Sequence, residues 1–460
     1  MSETTTRYDA IIIGFGKGGK TLAATLAARG QSVALVEKSA RMYGGTCINV
    51  ACIPTKSLVH RAAQSAVAGG TWEERQERYA QAIARKEVLT GALRGKNYHK
   101  VADAPTATVI DGTASFVDAR HVAVEREDGT LVIEGEKIFI NTGSRPFVPP
   151  IPGLADSRNV FVSETLLDLE TLPRELVIIG GGYIGLEFAS MYANFGSHVS
   201  IVADGTRFLP REDEQVAGVV LESLRSRGID VLLGARTLSV RDEGERTALS
   251  LEVDGEKTEP VADAVLVATG RRPNVEGLAL EKAGVELTER GAVRVDEHLR
   301  TTAPGVWAMG DVVGGLQFTY VSLDDFRIVA SDVLGDGSRT TKNRGAVPYS
   351  VFIDPPFSRV GLSEGQALAE GYAIKVATLP AAAIPKANVL EKPVGLLKAV
   401  IDADTDLILG AHLFCEESHE TINLVKLAMD ARIPYTTLRD SIYTHPTMTE
   451  ALNDLFAAVK

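Results

Sequence analysis

A short, wholly apolar run that breaks into glycines and then into helical periodicity occurs twice in this chain. Ala10-Ile11-Ile12-Ile13 reads as a buried strand and runs into Gly14-Phe15-Gly16-Lys17-Gly18-Gly19. The alanine-rich stretch Thr21–Arg29 then has the spacing of a helix, and Ser32–Val36 is a second apolar strand that ends in Glu37. The same design returns as strand Leu176–Ile179, turn Gly180-Gly181-Gly182-Tyr183-Ile184-Gly185, helix Leu186–Phe195 and strand Val199–Val202. Apolar runs also end in Thr-Gly at Ile138–Gly143 and Ala264–Gly270, each marking an expected crossing between domains. Val306-Trp307-Ala308-Met309-Gly310-Asp311 is a further strand that delivers an acid at its carboxyl end. Between the two repeats, Thr55–Glu125 is predicted to be mostly helical. From about Val347 the pattern changes to short strands (Tyr349–Phe352, Ile374–Thr378, Leu396–Asp402, Leu407–Phe414) followed by helices over His419–Ala431 and Met448–Val459. These patterns predict an α/β chain closed by a separate α+β domain.

The glycines carry chemistry. Gly14, Gly16 and Gly19 fit a dinucleotide fingerprint: one for a tight turn, one for bare backbone against a pyrophosphate, one for close helix–strand packing. Glu37 stands at the distance of a ligand to a ribose 2′-hydroxyl. Gly180, Gly182 and Gly185 match the first set at a constant offset, which puts Ala203 opposite Glu37, with Asp204 one residue late. Two fingerprints imply two dinucleotides.

Cysteine usage sharpens this. Two of the three cysteines lie in Gly44-Gly45-Thr46-Cys47-Ile48-Asn49-Val50-Ala51-Cys52-Ile53-Pro54-Thr55-Lys56. Pro54 fits the first turn of a helix and not its interior, so both thiols are expected near a helix start, where the dipole favours a thiolate. Closely spaced cysteines are also found as buried apolar residues. A zinc site would need further ligands, and Cys415 is remote. A redox pair following the first fingerprint suggests a flavin beside it and a circuit from nicotinamide to flavin to disulfide.

Composition excludes several classes. A net charge of −12 opposes nucleic-acid binding, which depends on neutralising phosphates. No apolar run approaches a membrane span, and the polar start Met1–Thr6 has no apolar leader core. The expected compartment is the cytoplasm, where a disulfide is catalytic rather than architectural.

Gly45-Thr46-Cys47-Ile-Asn-Val-Ala-Cys52-Ile-Pro-Thr-Lys56, Gly180-Gly-Gly-Tyr183-Ile184-Gly185-Leu-Glu187, Ala-Met-Gly310-Asp311 and His445-Pro446-Thr-Met-Thr-Glu450 together resemble the class I flavoprotein disulfide reductases, the family of lipoamide dehydrogenase, glutathione reductase and mercuric reductase. The resemblance covers essentially the whole chain. Gly14-Phe15-Gly16-Lys17, Leu316–Tyr320, Leu323-Asp324-Asp325 and Ala382–Ala387 are most similar to its reactive-chlorine-resistance branch. It implies two Rossmann-like domains and a C-terminal α+β dimerisation domain, in a glutathione-reductase-like fold. The expected division is an FAD-binding domain at 1–150 and 271–342, an NAD(P)-binding domain at 151–270 and a dimerisation domain at 343–460.

The same resemblance implies FAD and NAD(P)H as cofactors. Gly45, Thr46, Thr142, Gly143, Gly310 and Asp311 are implied around FAD, beside the first fingerprint. Tyr183, Ile184 and Gly270 are implied around NAD(P)H. Cys52 is implied as the flavin-side thiol and Cys47 as the thiol that meets substrate. Lys56 would pair with Glu187 near the flavin, although an ordinary ion pair reads the same way. His445, entering from the partner subunit of a homodimer and oriented by Glu450, would be the general base, although Thr447–Glu450 is also a capping box. Cys415 is taken as core, and His412 and His419 beside it are not read as a metal site. The implied substrate is a small oxidant, hypothiocyanous acid or copper(II). Dihydrolipoamide dehydrogenase and a non-enzymatic flavoprotein redox sensor are the rival readings. The C-terminal stretch Leu455–Lys460 lacks the cysteine pair of mercuric reductases and the redox residue of large thioredoxin reductases.

Overall fold

The computed structural model describes residues 5–460; the polar start up to Thr4 lies outside them. The described residues divide into two compact units, residues 5–57, 82–147 and 270–344 in one, and 58–81, 148–269 and 345–460 in the other.

The first unit is built on a 7-stranded sheet. Ala107–Asp111, Val33–Glu37, Thr6–Ile13 and Gly129–Ile140 lie side by side and parallel. Val306–Ala308 pairs with the last of these, also in parallel. Parallel strands covered on both faces must be apolar throughout, and Ile11, Ile12, Ile138, Phe139 and Ile140 are fully buried. Each is worth about 1.5–3 kcal/mol of burial. The register aligns the carboxyl ends: Gly14 N–H donates to the Val36 carbonyl (2.8 Å), Asn141 N–H to that of Ile13 (2.8 Å) and Met309 N–H to that of Ile140 (2.9 Å). The glycine turn, Glu37, Asn141–Gly143 and Gly310–Asp311 therefore leave the sheet along one edge.

The second unit contains a 5-stranded parallel sheet with Glu175–Ile179 flanked by His198–Ala203 and Ala264–Val267. Its strand ends align in the same way, Gly180 N–H bonding the Val202 carbonyl and Ala268 N–H that of Ile179, both at 2.8 Å. The C-terminal part of this unit is a 5-stranded antiparallel sheet, in the order Tyr349–Val351, Phe357–Gly361, Ile408–Phe414, Leu396–Asp402, Ile374–Pro380, with helices Ser418–Asp430 and Ala451–Ala457.

Two sequence expectations need correction. The helical reading of Thr55–Glu125 holds for Cys52–Ala68 and Trp72–Ala102, but Ala107–Asp111, Thr113–Phe116 and His121–Arg126 are strands. Pairing with Val33–Glu37 recruits Ala107–Asp111 into the sheet, a tertiary demand that overrides local propensity. Phe357–Gly361 was missed because its pattern, buried at four successive positions with Ser358 and Arg359 among them, has no apolar alternation. Residues 58–81 pack in the second unit, where the buried Tyr79 donates to the Leu169 carbonyl (2.8 Å) and meets Phe195 edge-on.

Candidate active site

The first fingerprint opens helix Lys17–Ala27, with Gly16 as its N-cap in an extended conformation. The helix starts earlier than its apolar spacing indicates because Gly18 and Gly19 form its first turn. Gly14 adopts φ +102°, and a Cβ there would meet the Asn141 carbonyl at 2.4 Å; one at Gly19 would meet the Gly14 carbonyl at 2.6 Å. Only glycine permits both approaches. Glu37 is buried at its strand end, where one oxygen accepts the Phe15 N–H (3.0 Å) and the other the Ser39 N–H (3.3 Å). Burial raises its pKa, and those N–H donors oppose the rise.

A buried network that sequence reasoning missed ties this turn to the neighbouring loops. Asn141 Oδ1 accepts the Gly19 N–H (2.8 Å), while its Nδ2 donates to the Met309 carbonyl (2.7 Å). Ser322 Oγ accepts the Gly18 N–H (3.1 Å). Asp325 accepts the Gly310 N–H (2.7 Å) and pairs with Arg344. The one available signal was polarity interrupting apolar runs, as Asn141 does after Ile138-Phe139-Ile140. Asp311 is half-buried and accepts from Ser144 Oγ (2.7 Å); desolvation raises its pKa against that hydrogen bond and the nearby Arg271. Thr142 Oγ1 donates to the Asn274 carbonyl (2.7 Å), and Gly143 at φ +73° faces open space. A buried carboxylate at a strand end, a bare glycine turn at a helix N-terminus and an acid at the adjacent strand end are a donor set that fits FAD.

The cysteines sit on two consecutive helix starts. Gly45, at φ +78°, caps the short helix Thr46–Asn49, and Cys52 is the first residue of helix Cys52–Ala68, with Pro54 in its first turn. A Cβ on Gly45 would approach Gly16 Cα to 2.7 Å, so the cysteine turn lies directly on the fingerprint backbone. Asn49 fastens it, donating to the Tyr43 and Gly45 carbonyls (both 3.0 Å) and accepting from Arg94 (2.8 Å). Neither cysteine is in a disulfide. The Cys47 thiol is pulled down to about 6, first by a hydrogen bond from Cys52, against burial, with help from the Thr319 hydroxyl and the Lys20 and Lys56 cations. The hydrogen bond and the two cations thus favour the thiolate form of Cys47, with Cys52 as its donor. Lys56 lies one turn beyond Cys52. Lys20 carried no motif and was missed, and Thr319, within the Leu316–Tyr320 stretch, was given no role at the site.

In the second unit the glycine turn repeats the geometry. Gly180 has φ +117°, and a Cβ on Gly185 would sit 2.2 Å from the Gly180 carbonyl. Gly182, the N-cap of helix Tyr183–Phe195, has φ −82° and faces open space; Gly270, which begins the last segment of the first unit, also has no atom within 4 Å of an added Cβ. That bare helix N-terminus fits the pyrophosphate of NAD(P)H. Ala203 ends its strand as Glu37 ends its own, with its Cβ 3.2 Å from where a Gly181 Cβ would be. Tyr183 donates to Glu212, which also accepts from the Tyr349 hydroxyl (2.7 Å) and pairs with Arg359 (3.2 Å). Ile184 follows in the half-buried first turn of the helix. Glu187 accepts the Phe352 N–H (2.9 Å).

Also in this unit, Glu450 holds two partners. One oxygen takes His445 Nδ1 (2.8 Å); the other takes the Thr447 N–H (3.0 Å), while the Glu450 N–H bonds back to Thr447 Oγ1 (3.2 Å). The capping box and the histidine clamp coexist, and these bonds, that from His445 foremost, depress the Glu450 pKa. The His445 side chain is 68% exposed. Cys415 is buried, which pushes its thiol up to about 12. His412 is buried too and held down to about 4, chiefly by desolvation. Among the described residues no group of three or more His, Cys, Asp or Glu side chains is arranged to hold a metal, and no helix is long and apolar enough to cross a membrane.

Comparison with known proteins agrees with this geometry. The family described as pyridine nucleotide-disulphide oxidoreductase matches residues 8–325, and its dimerisation domain matches residues 347–456. The chain is 51% identical over 454 residues to the probable pyridine nucleotide-disulfide oxidoreductase RclA of Escherichia coli, covering 99% of this chain and 100% of that one. It is 35% identical to dihydrolipoyl dehydrogenase of Mycobacterium bovis over 98% of both chains. The solved structure described as a Cu(II) complex of HOCl-induced flavoprotein disulfide reductase RclA from E. coli superposes with a TM-score of 0.93, at 51% identity, over 99% of this chain and 100% of that one. With a glutathione-reductase-like fold, paired glycine fingerprints and a cysteine pair on the first of them, this chain belongs to the pyridine nucleotide-disulphide oxidoreductase family, enzymes that work with FAD and NAD(P)H.

Proposed function

We propose that this enzyme reduces a small electrophilic oxidant, hypothiocyanous acid foremost, in the cytoplasm, as a defence against reactive chlorine species. The observation that carries the reading is the placement of Cys47 and Cys52 on consecutive helix starts, where the hydrogen bond from Cys52 lowers the Cys47 pKa. That is an attacking and a resolving thiol side by side, with no further redox centre required. The E. coli relative is described as HOCl-induced, which supports the same context.

In the proposed reaction Cys47 attacks the sulfur of hypothiocyanous acid. An S–S bond forms, the S–O bond breaks, and hydroxide leaves as water with a proton from His445 of the partner subunit. Cys52 then gives its proton back to that histidine, attacks Cys47, expels thiocyanate and closes the Cys47–Cys52 disulfide. Two thiols have lost two electrons and the oxidant's sulfur has gained them. NAD(P)H, through FAD, supplies the pair that reopens the disulfide. In this reading Cys52 is the flavin-side thiol, with Lys56 one turn on. Gly14, Gly16, Gly19, Glu37, Gly45, Thr46, Thr142, Gly143, Gly310 and Asp311 hold FAD. Gly180, Gly182, Tyr183, Ile184, Gly185 and Gly270 hold NAD(P)H, and Glu187 serves catalysis. The division is FAD-binding at 1–150 and 271–342, NAD(P)-binding at 151–270 and dimerisation at 343–460. Glu450 orients His445, and its two hydrogen bonds support that role.

Dihydrolipoamide oxidation is the second reading, favoured by 35% identity to dihydrolipoyl dehydrogenase. The test is steady-state NAD(P)H oxidation against hypothiocyanous acid, lipoamide, glutathione disulfide and copper(II). The expected kcat/KM for hypothiocyanous acid exceeds those for lipoamide and glutathione disulfide by at least about a hundredfold, roughly 2.7 kcal/mol of transition-state discrimination. Copper(II), a one-electron acceptor, should be slower. Equal or faster turnover of lipoamide would overturn the proposal. Negligible NAD(P)H consumption with all four would point to a redox sensor.

A further inference from the structure

A buried cation faces the redox turn without an acid bonded to it. Lys20 is one turn into the first fingerprint helix, its backbone N–H bonding the Gly16 carbonyl (3.0 Å), and it is 5% exposed. Its Nζ donates to the Gly44 carbonyl (3.2 Å) and to Asn97 Oδ1 (2.5 Å), both neutral. An ammonium taken out of water without a carboxylate is costly. The anion that acts on it is the Cys47 thiolate, while Lys17 and Lys100 repel it. Burial, helped by those two lysines, lowers the Lys20 pKa to about 8.

The contacts also place Lys20 mechanically. Gly44 and Gly45, at φ +98° and +78°, form the turn into the Cys47 helix. The ammonium grips the carbonyl of the first, and the second lies on Gly16.

We propose that Lys20 is the counter-cation of the Cys47 thiolate and a positioning residue for the Gly44–Gly45 turn that aims it. This rests on Cys47 being the attacking thiol and is independent of which oxidant is reduced. Cys47 is otherwise faced by Cys52 and Lys56 from helix Cys52–Ala68 and by Thr319 at the head of helix Thr319–Leu334. Removing Lys20 therefore weakens the stabilisation of the thiolate without abolishing it.

The test is the pH dependence of iodoacetamide alkylation of the holoenzyme, reduced anaerobically with NADPH and no oxidant present, with the modified cysteine located by mass spectrometry. In the wild type, Cys47 should be modified with a midpoint near 6. Lys20→Met should move that midpoint up by about half a pH unit or more with FAD retained, and Lys20→Arg should keep it near wild type. An unmoved midpoint in Lys20→Met overturns the proposal. So does FAD loss with the midpoint unmoved, which would assign the ammonium to the cofactor phosphates. Should Lys20→Met not fold, the reciprocal coupling is read in protein carrying 13Cε-labelled lysine. There Cys47→Ser should lower the Lys20 titration midpoint, and no change would overturn the assignment. Wild-type modification at Cys52 instead of Cys47 would sink the functional reading itself, and this proposal with it.

Discussion

Ala203 stands where the first fingerprint has Glu37, and the comparison is direct because both residues end the strand after their glycine turn. Glu37 spends one oxygen on the Phe15 N–H; at the matching position, Ala203 offers a methyl group to Gly181. A carboxylate at this point would accept from a ribose 2′-hydroxyl and repel a 2′-phosphate. Its absence removes both effects. Ala203→Glu should therefore raise the ratio of kcat/KM for NADH over NADPH, by about tenfold for 1.4 kcal/mol of discrimination. A steady-state comparison of the two nucleotides checks this, and an unchanged or lowered ratio would reject the account. The glycine spacing made that correspondence legible in the sequence. Lys20 was not legible, because a lysine four residues past a glycine reads as a solvated helix face until the Gly44 carbonyl is found against it.

At the scale of the element, the glycine turns separate two demands. Gly185 is required by the protein itself, since a Cβ there would lie 2.2 Å from the Gly180 carbonyl and push the helix off its strand. Gly182 has an ordinary φ of −82° and open space around it, so nothing in the protein forbids a side chain there. Gly182→Ala should leave the melting temperature within about 1–2 °C of wild type, the effect of a substitution under 0.5 kcal/mol. It should still raise KM for NAD(P)H at least about tenfold, because the methyl occupies the space of the pyrophosphate. Gly185→Ala should lower both stability and nucleotide affinity. Equal thermal losses in the two variants, measured by calorimetry, would refute the distinction. In the other unit, Asn141 joins the fingerprint turn to the Met309 carbonyl. Asn141→Leu leaves a buried N–H and a carbonyl unpaired, at about 1–3 kcal/mol each, and should show as a lower melting temperature and easier loss of FAD.

For the whole molecule, the C-terminal dimerisation domain carries a histidine that is clamped yet exposed: His445 is fixed by Glu450 while Ile442, three residues earlier, is 100% exposed and Leu427 61% exposed in the isolated chain. A side chain fixed in place but facing outward is suited to completing a partner's site. Mixing inactive Cys47→Ser protomers with inactive His445→Ala protomers, under conditions that exchange subunits, should restore activity, because one of the two sites in a heterodimer then has both groups. Verified heterodimers without recovered activity would defeat the shared-site reading. By itself, the sequence determined the α/β class, the two glycine turns and the position of the redox pair, because each is encoded locally: apolar runs set strands, and glycine and proline permit only certain backbone turns. Only the tertiary structure decided which polar residues serve those turns. Asn141, Ser322, Asp325, Thr319 and Lys20 reach them from strands and helices distant in sequence. Strand Ala107–Asp111 likewise exists because Val33–Glu37 offers it an edge. Long-range pairing and burial set a residue's partners and its proton affinity, and neither leaves a periodic trace along the chain.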